Sequence, residues 1–206
     1  FQLHGSGPGL VVYRDPDSSV DFSDVNIGEV WTVQGACTKW LDQIRLVPRF
    51  QGDLAQISPS TWYVSPSGDD GSDGRSANSP FATIAHGIEA AATGDTILLQ
   101  LGRYVGEGNR DLDFAGKGIV LRGETGLPED VIRDCQSTQA DPHVGIHLHS
   151  EEPPGTAVEG VTIRNGNPQG LLVEGANVRL SYCAIDSAAG TGVYAALHNN
   201  NFCDYR

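Results

Sequence analysis

The chain has 206 residues, 13 basic and 26 acidic side chains, a formal net charge of −13, 26 glycines and no methionine. An acidic chain without a basic cluster repels phosphate backbones, which excludes nucleic acid as a partner class. No apolar run reaches the roughly 18–20 residues that span a bilayer, and the missing initiator Met and signal peptide lead to the expectation of a mature or excised piece.

The first sixty residues differ from the rest. Phe1 to Gly7 reads as a strand running into a Gly-rich turn, and Val20 to Gly28 alternates apolar and polar residues as a half-buried strand does. Gln34 to Phe50 shows no clear period. A complete β-sandwich takes about 100 residues, so 1–60 is expected to be a partial module and linker, with 61–206 as the main domain.

From Trp62 the pattern sharpens. Tyr63-Val64 forms a short strand, followed by the acidic loop Asp69-Asp70-Gly71-Ser72-Asp73-Gly74. One helix is predicted over about 80–92. Ser79 is its N-cap and Pro80 its first position, Phe81, Ile84, Ile88 and Ala91 share a face, and Gly94 ends it. Strands are expected at Asp95–Leu99, around Leu112 and Phe114, at Ile119–Leu121 and at Val131–Ile132.

Beyond residue 144 the chain repeats itself. Gly145-Ile146-His147-Leu148-His149, Gly170-Leu171-Leu172-Val173-Glu174 and Gly192-Val193-Tyr194-Ala195-Ala196 share one pattern, offset by 25 and then 22 residues. A second phrase, Val161-Thr162-Ile163-Arg164-Asn165, matches Cys183-Ala184-Ile185-Asp186-Ser187. Repeats of this length indicate a solenoid. Each unit holds short strands and no helix, so the fold class is all-β, a β-helix. The inward columns are expected to be Ile146, Leu171, Val193 and Leu148, Val173, Ala195. The helix would cover the open edge of the first coil. No C-terminal cap is visible at Asn199–Cys203, and the last coil is expected to be truncated.

Residues 62–104 resemble the opening module of bacterial right-handed parallel β-helix proteins with the pectate-lyase-like superfold. The carrying blocks are Tyr63-Val64-Ser65-Pro66-Ser67-Gly68, Ser79-Pro80-Phe81-Ala82-Thr83-Ile84, Gly94-Asp95-Thr96-Ile97-Leu98-Leu99 and Gly102-Arg103-Tyr104. Leu101 departs from the proline usual there. With the later coils the resemblance spans roughly 62–206 and implies a right-handed parallel β-helix in an extracellular or cell-surface setting. It implies no single activity. Residues 1–30 are similar to the junction between immunoglobulin-like modules of bacterial surface proteins.

Asp69, Asp70 and Asp73 supply the hard oxygens that calcium favours, although Pro80 stands where an EF-hand would place its bidentate Glu. Calcium is therefore a candidate cofactor. His147 and His149 project from one strand face and could hold a transition metal. Polysaccharide β-elimination needs a base and a cation-holding acid cluster on one sheet. Arg133, Asp134, Arg164, Asn165, Arg179 and Asp186 are read as outward-facing, and Arg164 shares a column with Asp186, making that pair the catalytic candidates. Asp111 and Asp113 are read as solvated. Cys37, Cys135, Cys183 and Cys203 form no C-x-x-C pair, and Cys183 is read as a small inward hydrophobe. The expected role is binding or structural, towards polysaccharide or another surface glycan; the alternative is a polysaccharide lyase.

Overall fold

The computed structural model describes residues 59–186 and 189–196, and the backbone of five strands before them. The chain divides into two compact units, Phe1–Ser58 and Pro59–Arg206. In the first, β1 (Leu10–Val12), β2 (Val30–Val33), β3 (Ala36–Trp40), β4 (Gln43–Val47) and β5 (Leu54–Ile57) form two small sheets. β4 lies parallel to β1 and antiparallel to β3, and β2 is antiparallel to β5. The stretch from Gln34 to Phe50, aperiodic in sequence, thus contains a hairpin, because pairing between β3 and β4 outweighs the weak local pattern. The strands expected at Phe1–Gly7 and Val20–Gly28 lie outside the described residues, as does the expected break at Asn199–Cys203.

The second unit begins with β6 (Thr61–Val64) and α1 (Ile84–Ala90). β7 (Thr96–Leu99) and β8 (Gly102–Tyr104) follow. Then come β9 (Val120–Gly123), β10 (Val131–Asp134) and β11 (Ile146–Leu148). The next two circuits are β12 (Ala157–Glu159), β13 (Thr162–Arg164), β14 (Gln169–Glu174) and β15 (Arg179–Ser181), β16 (Ala184–Asp186), β17 (Thr191–Ala196). They form three sheets, ordered β15-β12-β9-β7-β6, β16-β13-β10-β8 and β11-β14-β17. Every pairing in them is parallel. From β9 onward each circuit of the chain supplies one strand to each sheet in turn, which is consistent with a parallel β-helix.

Inward residues stack in columns across the circuits. Trp62, Ile97, Leu121, Val158 and Leu180 align in the first sheet. Ile146, Leu171 and Val193, with Leu148, Val173 and Ala195, align in the third, in the register the repeat predicts, although Ala195, in the last described circuit, is exposed. Ile97, Leu121, Ile146, Leu148 and Leu171 are fully buried, and each such side chain contributes roughly 1.5–3 kcal/mol.

The helix starts later than the sequence suggests. Phe81 is held in a parallel bridge with Val64, its N–H donating to Tyr63 O and its carbonyl accepting from Ser65 N. A residue committed to a strand ladder cannot open a helix, so Ser79 and Pro80 precede the bridge. The N-cap is Thr83, whose Oγ1 accepts from His86 N at 3.3 Å. Ala91 rather than Gly94 closes the helix, its N–H donating to Gly87 O. Ile84, Gly87 and Ile88 face inward, and a Cβ on Gly87 would stand 3.1 Å from Val64 and 3.2 Å from Ile97. Glycine therefore lets the helix lie directly on the first strands.

Arg133 corrects a second expectation. It points into the interior, not outward, aligned with Tyr104 and Ile163, and is fully buried. Strand alternation places Val131 and Arg133 on the same inner face of β10. Its Nη1 donates to Asn109 O at 3.0 Å and Gly145 O at 2.9 Å, while Nε and Nη2 lack a partner within hydrogen-bond distance. Burial pushes this guanidinium below its ordinary pKa, against the opposing influence of nearby Cys135 and Asp111. A buried charge without a carboxylate bonded to it is a poor stabiliser. Arg133→Met is expected to leave urea stability within about 1 kcal/mol of the parent, because lost hydrogen bonds and relieved desolvation offset each other. A loss above about 3 kcal/mol would show that the two carbonyl contacts dominate.

Candidate functional site: the outer face of the second sheet

Alternation along β8, β10, β13 and β16 turns two columns outward. Arg103, Ile132, Thr162 and Ala184 align in one; Asp134, Arg164 and Asp186 align in the next. The turn between β9 and β10 carries a short 3-10 helix, Pro128–Asp130, beside this face. Thr162 Oγ1 donates to Pro128 O at 2.7 Å and ties the turn to the sheet. Between them lies an open groove of about 300 Å³, lined by Pro128, Glu129, Ile132, Thr162, Arg164, Ala184 and Asp186.

The charges in these two outward columns are paired. Arg164 Nε donates to Asp186 Oδ2 at 2.9 Å, and both side chains are partly exposed. Such a surface pair contributes only about 0–1 kcal/mol to stability. Asp134 is enclosed, accepting from Arg103 Nη2 at 2.5 Å, Asn165 Nδ2 at 2.9 Å and Gln136 N at 2.9 Å. Burial pushes its carboxyl up, but hydrogen bonds from Asn165, Gln136 and Arg103 outweigh this and hold it below the usual carboxylate range. The structure thus brings Arg164 and Asp186 together as the repeat alignment expects. The neighbouring stack of Asn165 over Ser187 lies outside the described residues, because Ser187 does.

At the corner between β15 and β16 stands Tyr182, 77% exposed with φ 52°. One circuit earlier Gly160 occupies this position with φ 62°. A bulky residue in the left-handed region is uncommon and costs on the order of 1–3 kcal/mol. Here it presents a ring two residues before Ala184 of the groove.

The acidic loop serves its own backbone. Asp69 Oδ1 accepts from Gly71 N at 2.9 Å, and Asp73 Oδ1 from Arg75 N at 3.1 Å. Asp70 reaches across to the helix start: Oδ1 accepts from Ala82 N at 2.8 Å and Thr83 N at 2.9 Å, and Oδ2 from Thr83 Oγ1 at 2.9 Å. Burial raises the Asp70 carboxyl, but these bonds win and hold it low. The three carboxylates thus share no donor and are each turned to a different stretch of the chain.

His147 and His149 share the outer face of β11, with ring centroids 4.2 Å apart. Each meets its own acid from another circuit: His147 Nε2 lies 2.8 Å from Glu174 Oε2, and His149 Nε2 lies 3.4 Å from Asp113 Oδ2. Glu152, close to His149 in sequence, is buried and accepts from Gly116 N and Ser150 N. Among the described residues no group of three or more His, Cys, Asp or Glu side chains is arranged to hold a metal ion.

One cluster escapes the sequence. His143 Nδ1 lies 2.6 Å from Asp111 Oδ2, and its Nε2 lies 3.1 Å from Asp141 Oδ2. Burial alone would lower its pKa, but the hydrogen bond to Asp111 and the nearby Asp141 carboxylate raise it. Asp111 also accepts from Val144 N at 2.8 Å. Asp111 and Asp113 are therefore links between circuits, not merely solvated. The separation of 32 residues between His143 and Asp111 hid this from any local motif. Cys135 and Cys183 are free thiols, pushed up by burial; Cys183 packs on the core and donates to Val158 O at 3.3 Å. Among the described residues no helix is long and apolar enough to cross a membrane.

No protein-family model matches the chain, and no curated protein matches it. Among solved structures the chain is similar to the crystal structure of pectate lyase Pel9A, at 20% identity and a TM-score of 0.49. That likeness covers 62% of this chain and 34% of the other, so the chain spans about a third of the length of the structure it matches.

Proposed function

We propose that residues 61–206 are a right-handed parallel β-helix of an extracellular or cell-surface protein, following a partial immunoglobulin-like module, and that it binds polysaccharide on the outer face of its second sheet. The groove walled by Pro128–Asp130 is the observation that carries this reading. It is shallow and open, as an extended polymer requires. It combines an apolar floor at Ile132 and Ala184 with a fixed Arg164–Asp186 pair whose remaining donors and acceptors suit hydroxyl groups. The lyase alternative uses the same two residues, with Arg164 as base. Its guanidinium is held by Asp186, which favours binding over proton abstraction.

Affinity electrophoresis of the full chain through a panel of polysaccharides tests the reading. At least one polymer should retard the protein, and the double variant Arg164→Ala, Asp186→Ala should weaken retention about tenfold or more. Circular dichroism should be unchanged. Retention that survives the double variant would remove this face as the site. Release of unsaturated sugar product, followed by ultraviolet absorbance, would replace binding by the lyase.

A further inference from the structure

We infer that the groove on the second sheet accepts a neutral, hydroxyl-rich glycan and discriminates against uronate polymers. The inference rests on the polysaccharide reading above and names the class of polymer.

Recognition of a carboxylated polymer needs cations left available to it, with bidentate arginine as the usual means. This face has two arginines among its outward columns, and each already carries a carboxylate: Arg164 holds Asp186, and Arg103 holds Asp134. Taken as pairs they are neutral. Glu129 then stands exposed on the groove wall and leaves the lining net negative. A uronate chain laid here would either displace an existing ion pair or place its carboxylates beside Glu129 and Asp186. Separations inside the groove are shorter than the Debye length of about 8–10 Å, so physiological salt would not screen that repulsion away. The whole chain, at net charge −13, adds long-range repulsion of the same sign.

A neutral sugar meets none of these costs. Its hydroxyls can donate to the carboxylates of Glu129 and Asp186 and accept from the N–H groups of Arg164 not used by Asp186. Its apolar ring face suits the strip formed by Pro128, Ile132 and Ala184. Tyr182 offers an exposed aromatic surface at the adjoining corner, held there despite an unfavourable backbone conformation.

The test is calorimetric titration of the full chain with length-matched linear oligomers of glucose, galactose and mannose, and with oligogalacturonate, each in EDTA and again in calcium. At least one neutral oligomer should bind at least tenfold tighter than oligogalacturonate in both buffers, with little dependence on salt. Glu129→Gln should raise the uronate affinity several-fold and so narrow the ratio between neutral and uronate binding, because it removes the repelling charge and keeps an acceptor oxygen. Tighter binding of oligogalacturonate in EDTA would overturn the inference, and so would binding of it that appears only with calcium, since a bridging cation would then do the recognition. Both of those outcomes leave the polysaccharide reading standing. Binding of neither class would overturn the polysaccharide reading itself.

Discussion

Gly145→Ala should destabilise the protein by about 3 kcal/mol or more, whereas Gly192→Ala should cost less than about 1 kcal/mol. These two glycines, with Gly170 between them, open the three copies of the repeated phrase and stack in register. A Cβ on Gly145 would lie 1.9 Å from Gly170 O, 2.5 Å from Arg133 Nη2 and 2.7 Å from Ile163 Cγ2. Backbone and a packed interior cannot give way that far. On Gly170 the nearest atom is Ile185 Cγ2 at 2.6 Å, and on Gly192 it is the same methyl at 3.4 Å, an ordinary contact. The three alanine variants should therefore rank in that order by urea midpoint. Equal losses at all three would mean that glycine recurs for some reason other than close approach between circuits.

Asp95→Ala is the second large loss expected, about 3–5 kcal/mol. One carboxylate, 6% exposed, accepts from Ser60 N at 2.7 Å, Trp62 Nε1 at 2.9 Å and Ala92 N at 2.9 Å. It thereby joins the approach to the first strand, the buried indole and the end of the helix. Removing it leaves three donors unsatisfied, one of them buried. Burial pushes the Asp95 carboxyl up, but the bonds from Ala92, Ser60 and Trp62 outweigh burial and hold it low. A folded-state pKa below the unfolded value means that the stabilisation is complete above the ordinary carboxylate pKa of about 4. It is lost as pH falls through the lower, folded value. Asp95→Asn should flatten this acid limb of the stability curve. Asp70 and Asp134, shifted in the same direction, should leave a residual slope. An unchanged acid limb in Asp95→Asn would show that its carboxylate is not a main acid-sensitive group.

Much of the architecture is readable before any coordinates. The columns Ile146–Leu171–Val193 and Leu148–Val173–Ala195 follow from the spacing of a phrase whose inner positions must stay apolar, and they pair in that register. The pairing of Arg164 with Asp186 follows from the same alignment. The helix face Ile84, Ile88 and Ala91 is equally legible, since a 3.6-residue period survives uncertainty about the ends.

What eludes the sequence has one common cause. Phe81 looks helical until Val64 claims its backbone for a bridge. Arg133 looks like a surface residue until β10 is threaded between Tyr104 and Ile163. His143 finds Asp111, and the Pro128–Asp130 turn finds Thr162, only because separate circuits come to lie side by side. The amino-acid sequence by itself determined that the chain winds in short parallel strands and which apolar residues stack inward, because hydrophobic periodicity is a local property. Only the tertiary structure decided which polar groups meet outside the repeated phrase, how the groove is walled and that Arg103 is already paired with Asp134. Those contacts join residues 31 to 34 positions apart, and no local pattern records which circuit a side chain will face.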